Sequence, residues 1–133
     1  MAFGTATVVT NNGKAILADR VRTSPGTYTN SPKYCAMGVG ATGAARTAAA
    51  ADTALSTEVE SRTSGTESVT TTSQTGDTYQ VVGTISATSS RSVDEAGLFD
   101  ASSTGNMFTS ATFAVISLAN GDSVAFTWKV QLT

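Results

Sequence analysis

The sequence feature that most constrains the fold is a strict alternation of apolar and polar or small side chains near the end of the chain. The apolar members of this alternation are Val124, Phe126, Trp128, Val130 and Leu132. A period of two over this length, rich in aromatic and β-branched residues, predicts a strand with one face in a core. Asn120-Gly121 directly before it favours a type I′ turn. We therefore expect a hairpin whose other strand, Met107–Leu118, is central because it carries apolar residues on both faces.

The segments before this hairpin predict further strands and one helix. A short apolar stripe after residues that can cap a helix predicts about three helical turns, which must lie on a sheet to be stable. Alternation and buried apolar runs predict the strands. The predicted elements are a strand at Ala2–Thr10, a helix at Lys14–Val21, a strand at Lys33–Gly40 and a strand at Asp77–Ser89.

Two stretches predict long loops. Prolines and Gly26 interrupt residues 23–32. Residues 42–73 are Ala-, Thr- and Ser-rich, and there we expect a loop with one helical turn near 53–58, followed by an exposed strand or an extended excursion. Both stretches are candidate arms that reach neighbouring molecules. The expected fold is mainly β: an antiparallel, β-sandwich-like single domain over residues 1–133, with one short N-terminal helix and long loops.

Composition narrows the possible functions. Charged residues make up 14% of the chain and the net charge is −2, so nothing predicts a grip on nucleic acid or on an anionic membrane. The chain has no histidine, which removes the commonest general base and metal ligand. Cys35 is the single cysteine, so no internal disulfide is possible. No apolar run approaches the ~20 residues of a membrane span.

The residues that could carry chemistry favour structural roles. Asp94, Glu95, Asp100 and Asp122 are the acidic candidates, but Asp100 and Asp122 lie at turns, where aspartate commonly binds the backbone. Glu95 is expected at the start of a strand, bound by backbone N–H groups. Cys35 is interpreted as a small core residue. Gly38 to Gly43 match G-x-G-x-x-G, but no amphipathic helix follows, as a dinucleotide site requires.

These observations predict a protein that is not an enzyme, with no catalytic, cofactor-binding or metal-ligating residues and no cofactor. The five arginines are spread along the chain and are interpreted as interface or solubility charges rather than as a phosphate-binding tract.

Several short motifs, in order along almost the whole chain, resemble those of small virion proteins of tailed bacteriophages. More loosely, they resemble the attachment domains of phage tail fibres. The matching segments are Val-Val-Thr-Asn-Asn-Gly-Lys-Ala-Ile-Leu-Ala at 8–18, Pro-Lys-Tyr-Cys-Ala-Met-Gly-Val-Gly at 32–40, Ala-Asp-Thr-Ala-Leu-Ser-Thr-Glu at 51–58, Thr-Tyr-Gln-Val-Val-Gly-Thr at 78–84, Glu-Ala-Gly-Leu-Phe-Asp at 95–100 and Gly-Asp-Ser-Val-Ala-Phe-Thr-Trp-Lys-Val at 121–130. The resemblance implies a β-rich domain that associates with other virion proteins and has no catalytic residues.

Three functions follow as hypotheses. Because the sequence ends at the core strand without a fibre shaft, the first is a capsid cement or decoration protein. It would be a homotrimer bound to the major capsid protein on the outer surface of the virion, after synthesis in the host cytoplasm, with no nucleic acid or membrane partner. The second is a tail, collar or baseplate component on which a fibre docks. The third is a receptor- or glycan-binding module that uses Tyr28, the aromatic residue expected to be exposed, since Trp128 is predicted to face the core.

Overall fold

The structure is a computed structural model that describes residues 7–22, 26–41 and 46–133. Within these ranges it contains one helix and eight strands, which follow each other in the order below. They are β1 (Thr7–Val9), α1 (Asn11–Arg20), β2 (Tyr34–Val39), β3 (Thr57–Ser64), β4 (Thr66–Thr70), β5 (Thr78–Ser86), β6 (Arg91–Phe99), β7 (Met107–Leu118) and β8 (Ser123–Gln131).

The strands form two antiparallel sheets. The larger sheet has the order β1-β7-β6-β2-β3, and the smaller one has the order β4-β5-β8. Every pairing between neighbouring strands is antiparallel. The main apolar cluster combines buried side chains of both sheets with Ile16 of α1. The prediction of a mainly β, antiparallel, sandwich-like fold with one short helix is confirmed.

Alternation in β5 and β8 places one face of the smaller sheet in the core. Val81 is paired with Trp128 and Gly83 with Phe126, so side chains of both strands point to the same side at these positions. Val81 and Phe126 are 0% exposed and Trp128 is 2% exposed, whereas Lys129 lies on the opposite, solvent-facing side. The one-sided burial predicted for both strands is therefore confirmed as far as Val130. Leu132, also expected on the core side, lies beyond the end of β8 and is 59% exposed.

The chain passes from one sheet to the other at Gly65, between β3 and β4. The Gly65 amide donates to the carbonyl oxygen of Lys33 at 2.8 Å. A Cβ atom at position 65 would lie 2.5 Å from Val81 Cγ1 and 2.9 Å from the Val82 carbonyl oxygen. Only a residue without a side chain can pass this close to β5, so glycine fixes the corner where the two sheets meet.

The predicted hairpin between Met107–Leu118 and the last strand is wrong. β7 lies between β1 and β6 in the larger sheet, whereas β8 pairs with β5 in the smaller one. Asn120-Gly121 therefore connects two sheets rather than two neighbouring strands. Only Gly121 has a positive φ, of 89°, so the turn is not of type I′, which requires positive φ at both central residues. The central position predicted for β7 is confirmed.

The helical turn predicted near residues 53–58 is also wrong. Residues 46–56 form no helix, and β3 begins at Thr57. Thr57 and Val59 are β-branched and pair with Val39 and Met37 of β2, a pleated environment that such side chains favour. The 57–70 part of the candidate arm at 42–73 thus forms β3 and β4, hydrogen-bonded into the sheets. Residues 42–45 of that arm lie outside the described residues.

Helix α1 begins where the sequence offers a cap. Thr10 is the N-cap residue, and its hydroxyl oxygen accepts a hydrogen bond from the Gly13 amide at 3.0 Å. The same hydroxyl donates to the carbonyl oxygen of Met107, which ties the start of the helix to β7. Ile16 is 1% exposed and Leu17 is half-buried. The predicted helix that rests on the sheet is confirmed.

The strand and the loop on either side of α1 are described in part. β1 lies within the strand predicted at Ala2–Thr10, and residues 1–6 lie outside the described part of the chain. Residues 26–33 form neither helix nor strand, and 23–25 are not among the described residues. The Asp19 carboxylate accepts hydrogen bonds from the amides of Gly26, Thr27 and Tyr28, so the helix holds this loop in place.

Candidate functional site

The four acidic candidates do not form one site. Asp94 and Glu95 lie within β6, whereas Asp100 and Asp122 lie in turns beyond the two ends of that strand. Asp100 accepts from the Asn106 amide at 2.6 Å, and Asp122 accepts from the Ala119 amide at 2.8 Å. The predicted turn roles of Asp100 and Asp122 are therefore confirmed. The expectation that Glu95 lies at the start of a strand is wrong, because it lies in the interior of β6.

Glu95 anchors a buried polar network on the face of the larger sheet that points away from the other sheet. Its carboxylate is 0% exposed and lies over Gly38, where a Cβ atom would be 2.6 Å from Oε1. The Thr57 amide donates to Oε1 at 3.1 Å, which confirms the predicted backbone contact. Arg46 forms an ion pair with Oε2 at 2.9 Å. Glycine in β2 thus leaves the space that this carboxylate occupies.

Arg46 extends the network to the segment that covers this face. Its other terminal nitrogen lies 2.8 Å from Asp52 Oδ2, which also accepts from the Ser110 hydroxyl at 2.8 Å. Leu55 from the same segment packs beside Phe99 in a second, smaller apolar cluster. The network and this cluster hold residues 46–56 against the sheet. The network pairs the buried charge of Glu95 and the half-buried charge of Asp52 with Arg46.

Asp94 is buried, at 1% exposed, and its Oδ1 accepts from the Ala41 amide at 3.1 Å. Its Oδ2 has no hydrogen-bond partner among the described residues. In the described part of the chain no three acidic or cysteine side chains come close enough together to hold a metal ion.

Each of the ten carboxylates of the chain accepts a hydrogen bond or forms an ion pair within it. Three of them have their pKa held below the usual range, because hydrogen bonds favour the charged form. For Asp19 the main cause is the Tyr28 amide, for Glu60 it is the Thr88 hydroxyl, and for Asp77 it is the Gln74 amide. The pairs are Asp19 with Arg22, Asp52 with Arg46, Glu58 with Arg62, Glu60 with Arg91, Glu67 with Lys33, Asp77 with Thr72, Asp94 with Ala41, Glu95 with Thr57, Asp100 with Asn106 and Asp122 with Ala119.

Cys35 is a core residue, as predicted. It is 0% exposed, and burial raises the pKa of its thiol to about 11, while a hydrogen bond from Trp128 acts in the opposite direction. A thiol with so high a pKa stays protonated near neutral pH and is a poor nucleophile. The glycine motif does not lead into a helix, since residues 46–56 form none. Gly38 instead leaves space for the Glu95 carboxylate. Gly43 lies outside the described residues.

A cavity of about 260 Å³ lies between α1 and the start of β5. Its walls are mainly apolar and its charged members are Arg20 and Glu67. The Tyr79 hydroxyl donates to the Pro32 carbonyl oxygen at 3.1 Å, and burial raises the pKa of this phenol well above its usual value. Glu67 is itself paired with Lys33 at 3.4 Å. The lining residues are Ile16, Leu17, Arg20, Ser31, Pro32, Glu67, Tyr79 and Phe108.

The outer face of the smaller sheet is the broadest feature that sequence reasoning missed. Its side chains alternate with the core residues of β5 and β8, together with the side chains of β4 that share their face, and most carry hydroxyl groups. None is a carboxylate, and Lys129 is the single charged residue. They are Thr66, Ser68, Thr70, Gln80, Val82, Thr84, Ser86, Ser123, Ala125, Thr127, Lys129 and Gln131. The signal was present as the polar half of each alternation, but only the pairing of β5 with β8 joins these halves into one surface.

Comparison of the chain with protein-family models, with curated proteins and with solved structures gave no match. Within the residues that the structure describes, no helix has the length and apolar character that crossing a membrane requires.

Proposed function

We propose that this protein is a structural component of a tailed-phage virion, and specifically a capsid cement or decoration protein on the outer surface of the capsid. The single observation that carries the proposal is the outer face of the smaller sheet, which offers a continuous hydroxyl-rich surface without a carboxylate. Such a surface suits attachment to another protein through shape, backbone and hydroxyl contacts. The order of the sequence motifs along the chain supports the phage assignment.

The arrangement of charged groups favours a structural role over catalysis. The carboxylates are engaged in ion pairs or hydrogen bonds within the chain, and the most deeply buried one, Glu95, is paired with Arg46. A general acid or base needs a titratable group within reach of a substrate. The cavity between α1 and β5 holds Glu67, but this side chain is already paired with Lys33.

Attachment through an uncharged face predicts weak dependence on salt. Because Lys129 is the single charged residue of the outer face, few ion pairs can form across the interface. Screening by salt acts on exposed charges and leaves apolar and hydroxyl contacts largely unchanged. Occupancy of capsids should therefore be nearly the same at low and at moderate salt, and a steep loss at moderate salt would contradict this mode of attachment.

The location on the particle is tested by counting copies and by imaging. Quantitative mass spectrometry of purified particles of the phage that encodes this chain should give on the order of hundreds of copies per virion, as a capsid lattice requires. A particle map should place the protein on the capsid surface. A copy number matching a single tail ring would overturn the capsid assignment. The proposed homotrimer is tested by light scattering, which should give three times the chain mass.

A matched pair of valine substitutions tests the docking face. Val82 is 39% exposed at the centre of the outer face, between Thr66 and Thr127, whereas Val115 is 49% exposed on β7 of the other sheet. Val82→Glu should abolish binding to undecorated capsids, because it buries an unpaired charge in the interface. Val115→Glu should bind as the parent does. Equal binding by both variants would exclude this face as the attachment surface.

The runner-up function is a tail, collar or baseplate component to which a separate fibre attaches. The looser resemblance to fibre attachment domains is what favours it, and the copy number separates it from the capsid proposal. The third function, glycan or receptor binding, depends on an exposed Tyr28. That side chain is half-buried against the core, which argues against it. Binding of the isolated protein to host cells would support the receptor-binding function.

A further inference from the structure

The chain contains two Asn-Gly sequences, Asn12-Gly13 and Asn120-Gly121. In such a pair the backbone nitrogen of glycine can attack the asparagine side-chain carbonyl carbon. The new C–N bond closes a five-membered succinimide, and ammonia leaves. Water then opens the ring to aspartate or to isoaspartate, so the net change is exchange of NH₃ for H₂O. Glycine favours the attack because it has no side chain to hinder ring closure.

The folded structure engages the attacking nitrogen at both sites. The Gly13 amide donates to the Thr10 hydroxyl oxygen at 3.0 Å. The Gly121 amide donates to the carbonyl oxygen of Ala87 at 2.8 Å. A nitrogen that donates a hydrogen bond keeps its proton and is aimed away from the neighbouring side chain. Both acceptors therefore block the step that begins deamidation.

The surroundings hold both amides in place. Gly13 is buried where α1 crosses β7, and its backbone lies against the Phe108 carbonyl group, so a side chain there would collide with it. In the turn, the Asp122 amide donates to the Ala119 carbonyl oxygen at 3.0 Å, and the Asp122 carboxylate accepts from the Ala119 amide at 2.8 Å. Each asparagine can reach the ring-closing geometry only if these contacts open.

We propose that Asn12 and Asn120 are latent deamidation sites, silenced in the folded protein because the glycine amide that must attack is held by Thr10 at one site and by Ala87 at the other. Exclusion of water does not explain the protection at residue 120, because Asn120 and Gly121 are both exposed. There the barrier is the hydrogen bond of the Gly121 amide to Ala87, supported by the turn contacts between Asp122 and Ala119. Deamidation at each site therefore reports local opening of that element rather than exposure of the asparagine.

The first experiment compares the folded and the urea-unfolded protein in the same mildly alkaline buffer. Peptide mapping by mass spectrometry follows the gain of about 1 Da and the isoaspartate product at each site. Both asparagines should deamidate at least about tenfold more slowly in the folded protein, since local opening limits the reaction. Equal rates in the folded and unfolded protein at either site would overturn the proposal for that site.

The second experiment removes the hydrogen-bond acceptor of the Gly13 amide and leaves that of the Gly121 amide unchanged. Thr10→Val deletes the hydroxyl that accepts from Gly13 and should accelerate deamidation of Asn12 several-fold, with Asn120 as the internal control. Thr10→Ser keeps the hydroxyl and should restore protection. If Thr10→Val leaves Asn12 as slow as before while the variant stays folded, the Thr10 hydroxyl does not protect Asn12. The comparison of folded and unfolded parent protein does not depend on this variant.

Discussion

An ion pair between a buried and a half-buried side chain decides how the larger sheet is covered: Glu95 is 0% exposed and the Arg46 side chain is 24% exposed. A buried carboxylate loses its hydration and is tolerated only where a positive charge and hydrogen bonds replace the water. Arg46 and the Thr57 amide supply both. The pair spans 49 positions of sequence, so it fixes residues 46–56 over a strand formed much later in the chain.

Arg46→Met should destabilise the protein by about 3–5 kcal/mol, because it leaves the Glu95 carboxylate buried without its counter-ion. Urea unfolding followed by tryptophan fluorescence measures the loss. The double variant Arg46→Met with Glu95→Gln should recover most of it. Lys33→Met is the matched control, since it breaks the half-exposed pair with Glu67 and should cost about 0–1 kcal/mol. Equal losses from both single variants would show that burial of Glu95 does not control stability.

Trp128→Ala should cost on the order of 3–5 kcal/mol, because it removes a large side chain that is 2% exposed and leaves a cavity between the sheets. Thermal unfolding followed by circular dichroism measures it. Lys129→Ala, one residue along and on the solvent side, should leave the melting temperature almost unchanged. An unaffected melting temperature for Trp128→Ala would mean that β8 faces the other way.

At the scale of elements, the corner between β3 and β4 is a connection with no room for a side chain. Gly65→Ala should destabilise by about 1–3 kcal/mol, because the added methyl group would overlap Val81 and the Val82 carbonyl group. Thr66→Ala, on the exposed outer face directly after the corner, is the control and should cost less than about 0.5 kcal/mol. Chemical denaturation compares the two. A Gly65→Ala variant as stable as the control would show that β5 can shift to accommodate the methyl group.

The elements that the sequence predicted well are those whose signals are local. Alternation identified β5 and β8, and Thr10 with the apolar stripe identified α1. The hairpin between β7 and β8 was wrong because Asn120-Gly121 forms a tight turn whether the next strand joins the same sheet or the opposite one. Strand partners depend on contacts between distant segments, such as Val81 with Trp128, which no local pattern encodes.

For the candidate site, the sequence predicted the turn roles of two acidic residues but not the buried ion-pair network. Turn chemistry correctly assigned Asp100 and Asp122 to the backbone. The ion pair between Arg46 and Glu95 was missed because an isolated arginine in an alanine-rich stretch gives no hint of its partner. The outer face of the smaller sheet was missed for a related reason, since alternating Ser and Thr indicate an exposed side without showing which strands lie side by side.

For the molecule as a whole, the carboxylates predict sensitivity to acid. Hydrogen bonds hold the pKa of Asp19, Glu60 and Asp77 below their values in an unfolded chain, which are about 3.9 for aspartate and 4.3 for glutamate. A group with a lowered pKa stabilises the fold fully above its unfolded value and loses this effect as the pH falls through its folded value. The melting temperature should therefore fall below about pH 4.

Differential scanning calorimetry across a pH series checks this dependence. Asp77→Asn should be less stable than the parent at neutral pH and should lose less on acidification, because one of the lowered carboxylates is gone. Lys129→Ala should follow the parent curve. A parent melting temperature that rises as the pH falls below 4 would contradict the assigned direction of the shifts.

The pairing of β1 with β7 also sets the order in which the protein can be completed. Thr7 is paired with Ala111, and Thr10 caps α1 while it binds the carbonyl group of Met107. The first described strand and the start of the helix thus depend on a strand that leaves the ribosome about a hundred residues later. β1 therefore stays without its partner strand until β7 has been synthesised. Many pairings between distant segments also favour slow folding, on the millisecond-to-second scale.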